Sequence, residues 1–207
     1  MKPKVGIIDY GRGNLRSVAK ALEAVGATVK VSDSPRALDS CQGIVLPGVG
    51  AFGDAMAALR KRGFVNFVKR VAAEGRPLFG VCVGQQLFYE YGTEFGRHEG
   101  LGFFKGTVRK FRPGLKIPHM GWNQVRFKPG FPLAKGLGKE DEFYFVHSFF
   151  GKTGESGDVA GVTSYGQDRF DSALWRGNLF AAQFHPEKSQ KAGLKIYDNF
   201  WKLVQKN

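Results

Sequence analysis

The sequence has few cysteines and no long hydrophobic run. Its 207 residues contain only Cys41 and Cys82, too few for the disulfide framework of a small secreted scaffold. No apolar stretch approaches the roughly 20 residues of a membrane-spanning helix. The apolar run Val5–Ile8 is far shorter than the hydrophobic region of a signal peptide. We therefore expect a cytoplasmic protein without membrane association.

Acidic residues are scarce. The chain has 18 Asp and Glu against 31 Lys and Arg, which gives a formal net charge of +13 at pH 7. The basic residues are scattered and never form a run of five or more, as nucleic-acid-binding tails do. The charge therefore favours an acidic protein partner over RNA or DNA, although composition alone leaves its origin open.

The chain also lacks internal repeats, linker-like segments and low-complexity tracts. Its length suits one large domain. Hydrophobic residues make up 43% of the sequence and include 19 phenylalanines, enough to fill a sizeable core. We predict a single domain over residues 1–207.

The first half alternates short apolar runs with helix-like periodicity. The pattern predicts strands at 5–9, 28–31, 43–46 and 77–81, and helices at 14–25, 53–60, 64–74 and 85–91. Pro47 is expected to close the third strand. Nearly all-apolar strands that alternate with helices are typical of a parallel sheet covered on both faces. The predicted fold class is therefore α/β, doubly wound, with a mostly parallel sheet.

The second half has a different pattern. Short β-like segments separated by Gly and Pro predict antiparallel strands appended to the parallel core; they lie at 106–111, 123–127, 142–146, 159–165 and 172–175. An apolar run at 179–184 and a helix at 191–204 complete the chain.

The segment 80–84, Gly-Val-Cys-Val-Gly, lies between a predicted buried strand and a helix. This is the nucleophile-elbow pattern with Cys82 in place of serine. The flanking glycines remove side chains that would clash in the tight turn, and the N–H of Val83 can face a developing oxyanion. Most buried free cysteines are small apolar core residues, but these glycines favour a nucleophile. Cys41 has no such context and is expected to be inert.

A thiol nucleophile needs a base and a group that orients the base. His185 precedes a proline, which favours an extended backbone. Residues two apart on an extended chain point the same way, so Glu187 is expected beside the imidazole of His185. Of the other histidines, His98 is predicted to be a solvated loop residue, while structural and binding roles compete for His119 and His147.

The sequence predicts neither a metal nor a cofactor. No pair of histidines has metal-ligand spacing. Gly11 and Gly13 follow the first strand, and Asp33 lies near the end of the second, which mimics a dinucleotide fingerprint. Arg16 stands at the third glycine position, where its bulk opposes close helix–strand packing. We therefore reject nucleotide binding and leave only anion binding at this helix start open.

Several longer segments, taken together, span nearly the whole chain. They are Asp9-Tyr-Gly-Arg-Gly-Asn14, Leu46-Pro-Gly-Val-Gly-Ala-Phe52, Gly80-Val-Cys-Val-Gly-Gln-Gln86, Pro118-His-Met-Gly-Trp-Asn123, Tyr144-Phe-Val-His-Ser148 and Gln183-Phe-His-Pro-Glu-Lys-Ser-Gln190. In these segments the chain resembles the class I, triad-type glutamine amidotransferases, whose fold is flavodoxin-like. More narrowly, it resembles the glutaminase subunits of imidazole glycerol phosphate synthase, from histidine biosynthesis. The triad motifs alone would establish only the broader class.

The resemblance implies a role for each matching position. Cys82 would be the nucleophile, His185 the general base and acid, and Glu187 the residue that orients the imidazole. The backbone at Val49 and Gly50 would stabilise the oxyanion together with Val83. The positions implied to hold glutamine are Gly48, Gly50, Gln86, His147 and Ser148.

Two positions depart from the commoner pattern of the family. Gln85 stands where methionine is more usual, and Phe149 stands where tyrosine often follows the His-Ser pair. The second departure removes a hydroxyl near the implied glutamine site.

Ammonia released in water becomes ammonium, a poor nucleophile, and the sequence shows no synthetase domain or phosphate-cradling loop. We therefore expect ammonia to pass directly to a partner, which the resemblance implies is a (β/α)8-barrel cyclase bound as a heterodimer. The candidate interface residues are Arg12, Asn14, Trp122, Asn123, Tyr144 and Lys188.

Three other interpretations stay open at this point. The chain could be the glutaminase subunit of another amidotransferase, such as pyridoxal phosphate synthase. It could be a cysteine peptidase or isochorismatase-like hydrolase on a similar fold. It could also be a basic nucleic-acid-binding module with a degenerate active site, although intact triad residues argue against this.

Overall fold

The computed structural model describes residues 3–206, so Met1, Lys2 and Asn207 of the predicted domain lie outside the described residues. The α-helices are α1 Leu15–Ala24, α2 Pro35–Leu38, α3 Phe52–Lys61, α4 Phe64–Ala73, α5 Val83–Gln86 and α6 Gln190–Val204. The strands are β1 Val5–Ile8, β2 Val29–Ser32, β3 Gly43–Gly48, β4 Leu78–Cys82, β5 Tyr89–Gly92, β6 His98–Glu99, β7 Phe104–Lys110, β8 His119–Gln124, β9 Arg126–Phe127, β10 Glu142–His147, β11 Phe149–Thr153, β12 Val159–Tyr165, β13 Asp168–Arg176 and β14 Leu179–Ala182.

An eight-stranded sheet in the order β2-β1-β3-β4-β14-β13-β12-β9 forms the centre of the fold. The first five strands in this order are parallel, and the last three are antiparallel. The parallel part has the strand order of a doubly wound sheet, in which β2 is added on one side of β1 and β3 and β4 are added on the other. The prediction of a parallel α/β core extended by antiparallel strands is therefore confirmed.

Two smaller sheets lie outside the main one. Strands β8 and β10 form an antiparallel pair, and β11, β7, β5 and β6 form a four-stranded sheet in that order. The predicted appended strands are therefore divided among three sheets. Strands β5, β6 and β11 and the short helix α2 were not predicted.

Helix α6 packs on the central sheet through aromatic side chains. The ring centroid of Phe79 on β4 lies 6.0 Å from that of Tyr197 and 5.3 Å from that of Phe200. Gly43 permits this approach, because a Cβ there would lie 2.3 Å from Val204 Cγ2. With 15 residues, α6 is too short to span a bilayer, and no other helix in the described part of the chain is long and apolar enough to do so.

The predicted helix at 85–91 is wrong. Helix α5 ends at Gln86, and the chain then enters strand β5, which pairs with β6 and β7. Tyr89 is fully buried, and its hydroxyl donates a hydrogen bond to Asp171 Oδ2 over 3.3 Å. Strand pairing and this buried contact outweigh the helical periodicity of a short apolar run. Pro47 also does not end β3, which continues to Gly48.

Candidate active site

Cys82 lies at the sharp turn between β4 and α5. Its backbone has φ +55° and ψ −113°, a conformation that costs energy in a residue with a side chain. A Cβ on Gly84 would lie 1.9 Å from the carbonyl oxygen of Leu46, and one on Gly80 would lie 2.7 Å from that of Gly84. Glycine is thus required at both flanking positions, as the sequence pattern predicts.

His185 and Glu187 form a buried pair. The Nδ1 atom of His185 lies 2.8 Å from Glu187 Oε1, and the two side chains are 4% and 1% exposed. The hydroxyl of Tyr197 donates to the other carboxylate oxygen over 3.4 Å. The backbone is extended at His185 as predicted, but it then turns through a one-turn 3-10 helix at Pro186–Lys188. The pairing was predicted correctly, whereas the fully extended path between the two residues was not.

The electrostatics of His185 are set by its neighbours. Burial by itself would lower the pKa of the imidazole. The negative charge of the Cys82 thiolate and a hydrogen bond to Cys82, together with the hydrogen bond and charge of Glu187, outweigh burial and raise the pKa of His185 to about 10. The imidazole therefore favours its charged form at neutral pH, and it lines the same cavity as Cys82.

A cavity of about 330 Å³ opens beside these residues. It brings together most of the residues that the sequence singled out for chemistry or glutamine binding, and it adds residues that were not given a role. Its lining consists of Val49, Gly50, Cys82, Val83, Gln86, Glu94, Pro118, Val146, His147, Ser148, Phe149, His185 and Lys188.

The backbone between β3 and α3 borders this cavity. Strand β3 ends at Gly48, Val49 is exposed, and Gly50 has φ +90°. A Cβ on Gly48 would lie 2.7 Å from the hydroxyl oxygen of Tyr10, so this segment passes close to that hydroxyl group. Val83 begins α5, and N–H groups at a helix start have no partner within the helix. Both predicted sources of oxyanion donors therefore lie at the cavity.

A chain of amides connects the cavity wall to the nucleophile. The Nε2 atom of Gln86 donates to the Phe149 carbonyl oxygen over 2.9 Å and to Gln183 Oε1 over 3.0 Å. Gln183 Nε2 in turn lies 3.7 Å from Cys82 Sγ. Gln183 begins one of the segments that carry the family resemblance, but the sequence assigned it no role. A polar residue two positions before His185, at the end of an apolar run, was the available signal.

Glu94 is a second residue that the sequence did not reveal. It follows β5, lines the cavity, and accepts a hydrogen bond from the Phe52 N–H at the start of α3 over 2.9 Å. The sequence predicted a helix at 85–91 just before Glu94, where the structure has strand β5. The local pattern therefore did not place Glu94 near Cys82. The carboxylate supplies a negative charge that a bound amino acid can use.

The turn at 11–14 lies at the same sheet edge, as predicted. A Cβ on Gly13 would lie 3.3 Å from Pro47 Cγ. A Cβ on Gly50 would lie 3.4 Å from a guanidinium nitrogen of Arg12. Arg12 also forms an exposed ion pair with Asp54 over 3.5 Å. Asn14 is the N-cap residue of α1, but its side chain forms no capping hydrogen bond.

The remaining interface candidates divide into two groups. The Nζ atom of Lys188 lies 5.6 Å from the Tyr144 ring centroid, which lies 6.0 Å from that of Trp122. Trp122 is 44% exposed, so these three form a partly exposed patch beside the cavity. The Asn123 amide instead hydrogen-bonds inward to His119.

Two further predictions can be compared with the structure. His98 is not a solvated loop residue, because it belongs to β6. Its ring packs against Gly53, where a Cβ would lie only 2.8 Å from the imidazole.

Cys41 is 1% exposed, and burial raises the pKa of its thiol, which disfavours the reactive thiolate. Within residues 3–206, no three His, Cys, Asp or Glu side chains are grouped to hold a metal ion.

Comparisons with known proteins agree with this geometry. The family model for glutamine amidotransferase class-I matches residues 6–203. The imidazole glycerol phosphate synthase subunit HisH of Desulfitobacterium hafniense is 48% identical over 203 residues, which covers 98% of this chain and 96% of the relative. The subunit of the same name from Aquifex aeolicus is 47% identical over 201 residues, 97% of each chain.

Solved structures share the fold at much lower identity. PurLQS from Thermotoga maritima has a TM-score of 0.77 at 20% identity, with 99% of this chain and 100% of that chain covered. A second solved structure, described as a glutamine amidotransferase, has a TM-score of 0.75 at 21% identity, with coverage of 97% of this chain and 98% of that chain. The near-complete family match and the 48% identity carry the assignment. This chain belongs to the class I glutamine amidotransferase family and, within it, to the HisH subunits of imidazole glycerol phosphate synthase.

Proposed function

We propose that this chain hydrolyses glutamine to glutamate and ammonia through a thioester on Cys82. The ammonia then passes to a (β/α)8-barrel cyclase, which makes imidazole glycerol phosphate and an aminoimidazole carboxamide ribonucleotide. The observation that carries the proposal is the buried His185–Glu187 pair, 2.8 Å apart, beside Cys82 at one cavity.

Each step of the mechanism has a candidate group. The Cys82 thiolate attacks the side-chain amide carbon of glutamine, and the imidazolium of His185 protonates the amide nitrogen, which then leaves as ammonia. His185 then accepts a proton from the water that hydrolyses the thioester. Glu187 holds the imidazole through Nδ1. Backbone N–H groups at Val83 and at 49–50 stabilise both tetrahedral oxyanions, which is commonly the largest electrostatic contribution.

The cavity also suits the amino-acid end of glutamine. The resemblance assigns glutamine binding to Gly48, Gly50, Gln86, His147 and Ser148, and all except Gly48 line the cavity. Glu94 adds the negative charge that a glutamine ammonium group requires. The proposed reaction needs no cofactor, since every step is nucleophilic attack or proton transfer.

Replacement of Glu187 by Gln tests its role as the residue that orients His185. We expect kcat to fall by roughly a hundredfold, because the amide keeps the geometry but loses the charge that stabilises the imidazolium. Steady-state ammonia release measures this. Tyr197→Phe, which removes only the long hydrogen bond to the other carboxylate oxygen, is the matched control and should stay within a few-fold of wild type. If Glu187→Gln is as inactive as a variant without the nucleophile, a passive orienting role is too modest.

We infer that the partner binds the edge at which the cavity opens, through an acidic or mixed surface. Arg12, Asn14, Trp122, Tyr144 and Lys188 all lie in segments at this edge. Because the Asn123 side chain is used internally, its contribution to the interface would come from its strand position. The segment 47–50 contains two glycines that permit its peptides to reorient on docking.

Arg12→Glu should weaken binding to the cyclase by tenfold or more at low salt, with a smaller effect at high salt. Its exposed ion pair with Asp54 adds little to stability, so the fold should be retained. Lys69→Glu makes the same charge change on an exposed position of α4 and should bind normally. Titration of the cyclase by calorimetry measures both variants. Normal binding by Arg12→Glu would place the docking surface elsewhere. Lys188 is the less clean choice because it also lines the cavity.

A cytoplasmic location is part of the proposal. Both cysteines are free, and the reaction needs Cys82 as a thiolate, which a reducing compartment preserves.

The decisive assay for the function measures ammonia release from glutamine by the full chain alone, with the cyclase, and with the cyclase and its nucleotide substrate. We expect the rate to rise across the three conditions and glutamate to form in equal amounts. Absence of glutamine hydrolysis in the complete mixture would refute the proposal.

A further inference from the structure

Two buried histidines link strand β8 to the wall of the cavity. His119 on β8 and His147 at the end of β10 are 3% and 6% exposed, and His119 Nδ1 lies 3.0 Å from His147 Nε2. His147 Nδ1 lies 2.8 Å from the Phe149 carbonyl oxygen, and Asn123 Nδ2 lies 3.2 Å from His119 Nε2. The four residues form one continuous series of hydrogen bonds.

The direction of every hydrogen bond in this series is fixed by its ends. A carbonyl oxygen can only accept, so the proton of His147 is on Nδ1 and its Nε2 is an acceptor. His119 must then donate from Nδ1, which leaves its Nε2 to accept from Asn123. The orientation of the Asn123 amide is fixed as well, because its Oδ1 accepts the N–H of Gln124 over 2.8 Å and its Nδ2 also donates to the Ser164 carbonyl over 3.1 Å.

Both rings are neutral, as this series requires. Burial lowers the pKa of His119 to about 4. Burial is also the main cause that lowers the pKa of His147 to about 3, against the hydrogen bond to the Phe149 carbonyl. Each imidazole therefore has one donor and one acceptor nitrogen near neutral pH.

The series ends at a group that the active site uses. The Phe149 carbonyl accepts hydrogen bonds from His147 Nδ1 and from Gln86 Nε2, over 2.8 and 2.9 Å. The second hydrogen on Gln86 Nε2 goes to Gln183. Because both hydrogens are taken, Oε1 is the polar atom that Gln86 can offer to the cavity it lines.

We propose that Asn123, His119 and His147 are positioning residues of the glutaminase, which hold the Phe149 carbonyl and thereby set the Gln86 amide for glutamine binding. The inference rests on the proposed function and deepens it. None of these side chains exchanges a proton with substrate. They affect the affinity for glutamine, because the Phe149 carbonyl oxygen accepts hydrogen bonds from both His147 and Gln86.

The packing around His119 provides a matched pair of variants. Its ring stacks between Tyr165 and Phe145, with centroid distances of 4.2 and 4.9 Å and interplanar angles of 28° and 27°. His119→Phe keeps this stacking and removes both ring nitrogens. His119→Asn loses the stacking but keeps a donor close to the position of Nδ1.

The closing experiment measures KM and kcat for glutamine in the complete enzyme with the cyclase. We expect His119→Phe to raise KM about tenfold, since His147 loses its donor and no longer holds the carbonyl, while kcat at saturating glutamine changes by less than about twofold. His119→Asn should have a KM closer to wild type, even if it melts at a lower temperature. The reverse order of KM values, or an unchanged KM in His119→Phe, would overturn the proposal.

A readout independent of activity separates this inference from the proposed function. Proton–nitrogen correlation spectra of the imidazoles in the full chain should show His119 and His147 neutral and protonated on Nδ1. The His147 signals should change in His119→Phe. A wild-type His147 protonated on Nε2 would refute the hydrogen-bond series. A wild-type enzyme that never hydrolyses glutamine would instead refute the function, and the spectra would then decide whether the series exists.

Discussion

Cys82→Ala should lower glutamine hydrolysis by at least about a thousandfold. The thiol is the only side-chain nucleophile of the proposed mechanism, and without it no thioester can form. The fold should be retained, because the substitution removes one sulfur from a residue whose strained backbone is determined by Gly80, Gly84 and the pairing of β4 with β3. Ammonia release in the presence of the cyclase measures the activity, and circular dichroism measures the fold.

The chain supplies its own control for this experiment. Cys41 is also buried, but it lies at the far end of the sheet from the elbow, against Gly6. Cys41→Ala should keep wild-type activity. Full turnover by Cys82→Ala, or loss of activity in Cys41→Ala with an intact fold, would reject the assignment of the nucleophile.

His185→Asn should be almost as damaging as loss of the nucleophile. The imidazole of His185 lines the cavity together with Cys82 and is the base that the charge of Cys82 acts on. Without His185, the amide nitrogen has no acid to protonate it as it leaves, and the thioester must be hydrolysed without a base. We therefore expect kcat to fall by about a thousandfold or more.

The double variant makes this prediction sharper. Residues that act as a unit have non-additive effects, so Cys82→Ala with His185→Asn should be no less active than Cys82→Ala alone. Single-turnover measurements with excess enzyme give the rate of the chemical step. A double variant that loses a further large factor would show that His185 contributes independently of the cysteine.

Strands β1, β3 and β4 followed from sequence because they are buried on both faces and appear as continuous apolar runs. The fourth predicted strand, at 28–31, corresponds to β2, a partly exposed strand at the edge of the sheet. The helix predicted at 85–91 failed because an aromatic run of that length satisfies helical and strand periodicity alike. The pairing of β5 with β7 is a tertiary contact that no local pattern encodes.

The catalytic candidates were predictable because their geometry leaves a local signature in the sequence. Gly80 and Gly84 mark the elbow, and Pro186 separates His185 from Glu187 by a fixed short path. Glu94 was missed since it reaches the cavity only through a strand that was predicted as a helix.

The sequence also did not show which residues would meet across neighbouring strands. His119 and His147 were left between structural and binding roles. Their connection through a hydrogen-bond series depends on the antiparallel register of β8 and β10, in which the two residues are direct partners. The sequence shows each histidine but not that pairing.

The central claim is that glutamine chemistry takes place on the Cys82 sulfur. The most direct test treats the enzyme with an electrophile that mimics glutamine and maps the adduct by mass spectrometry, with and without an excess of glutamine. We expect one adduct per chain, on the peptide that contains Cys82, with protection by glutamine and no adduct in His185→Asn over the same time. An adduct on Cys41, or labelling of Cys82 that glutamine does not slow, would contradict it.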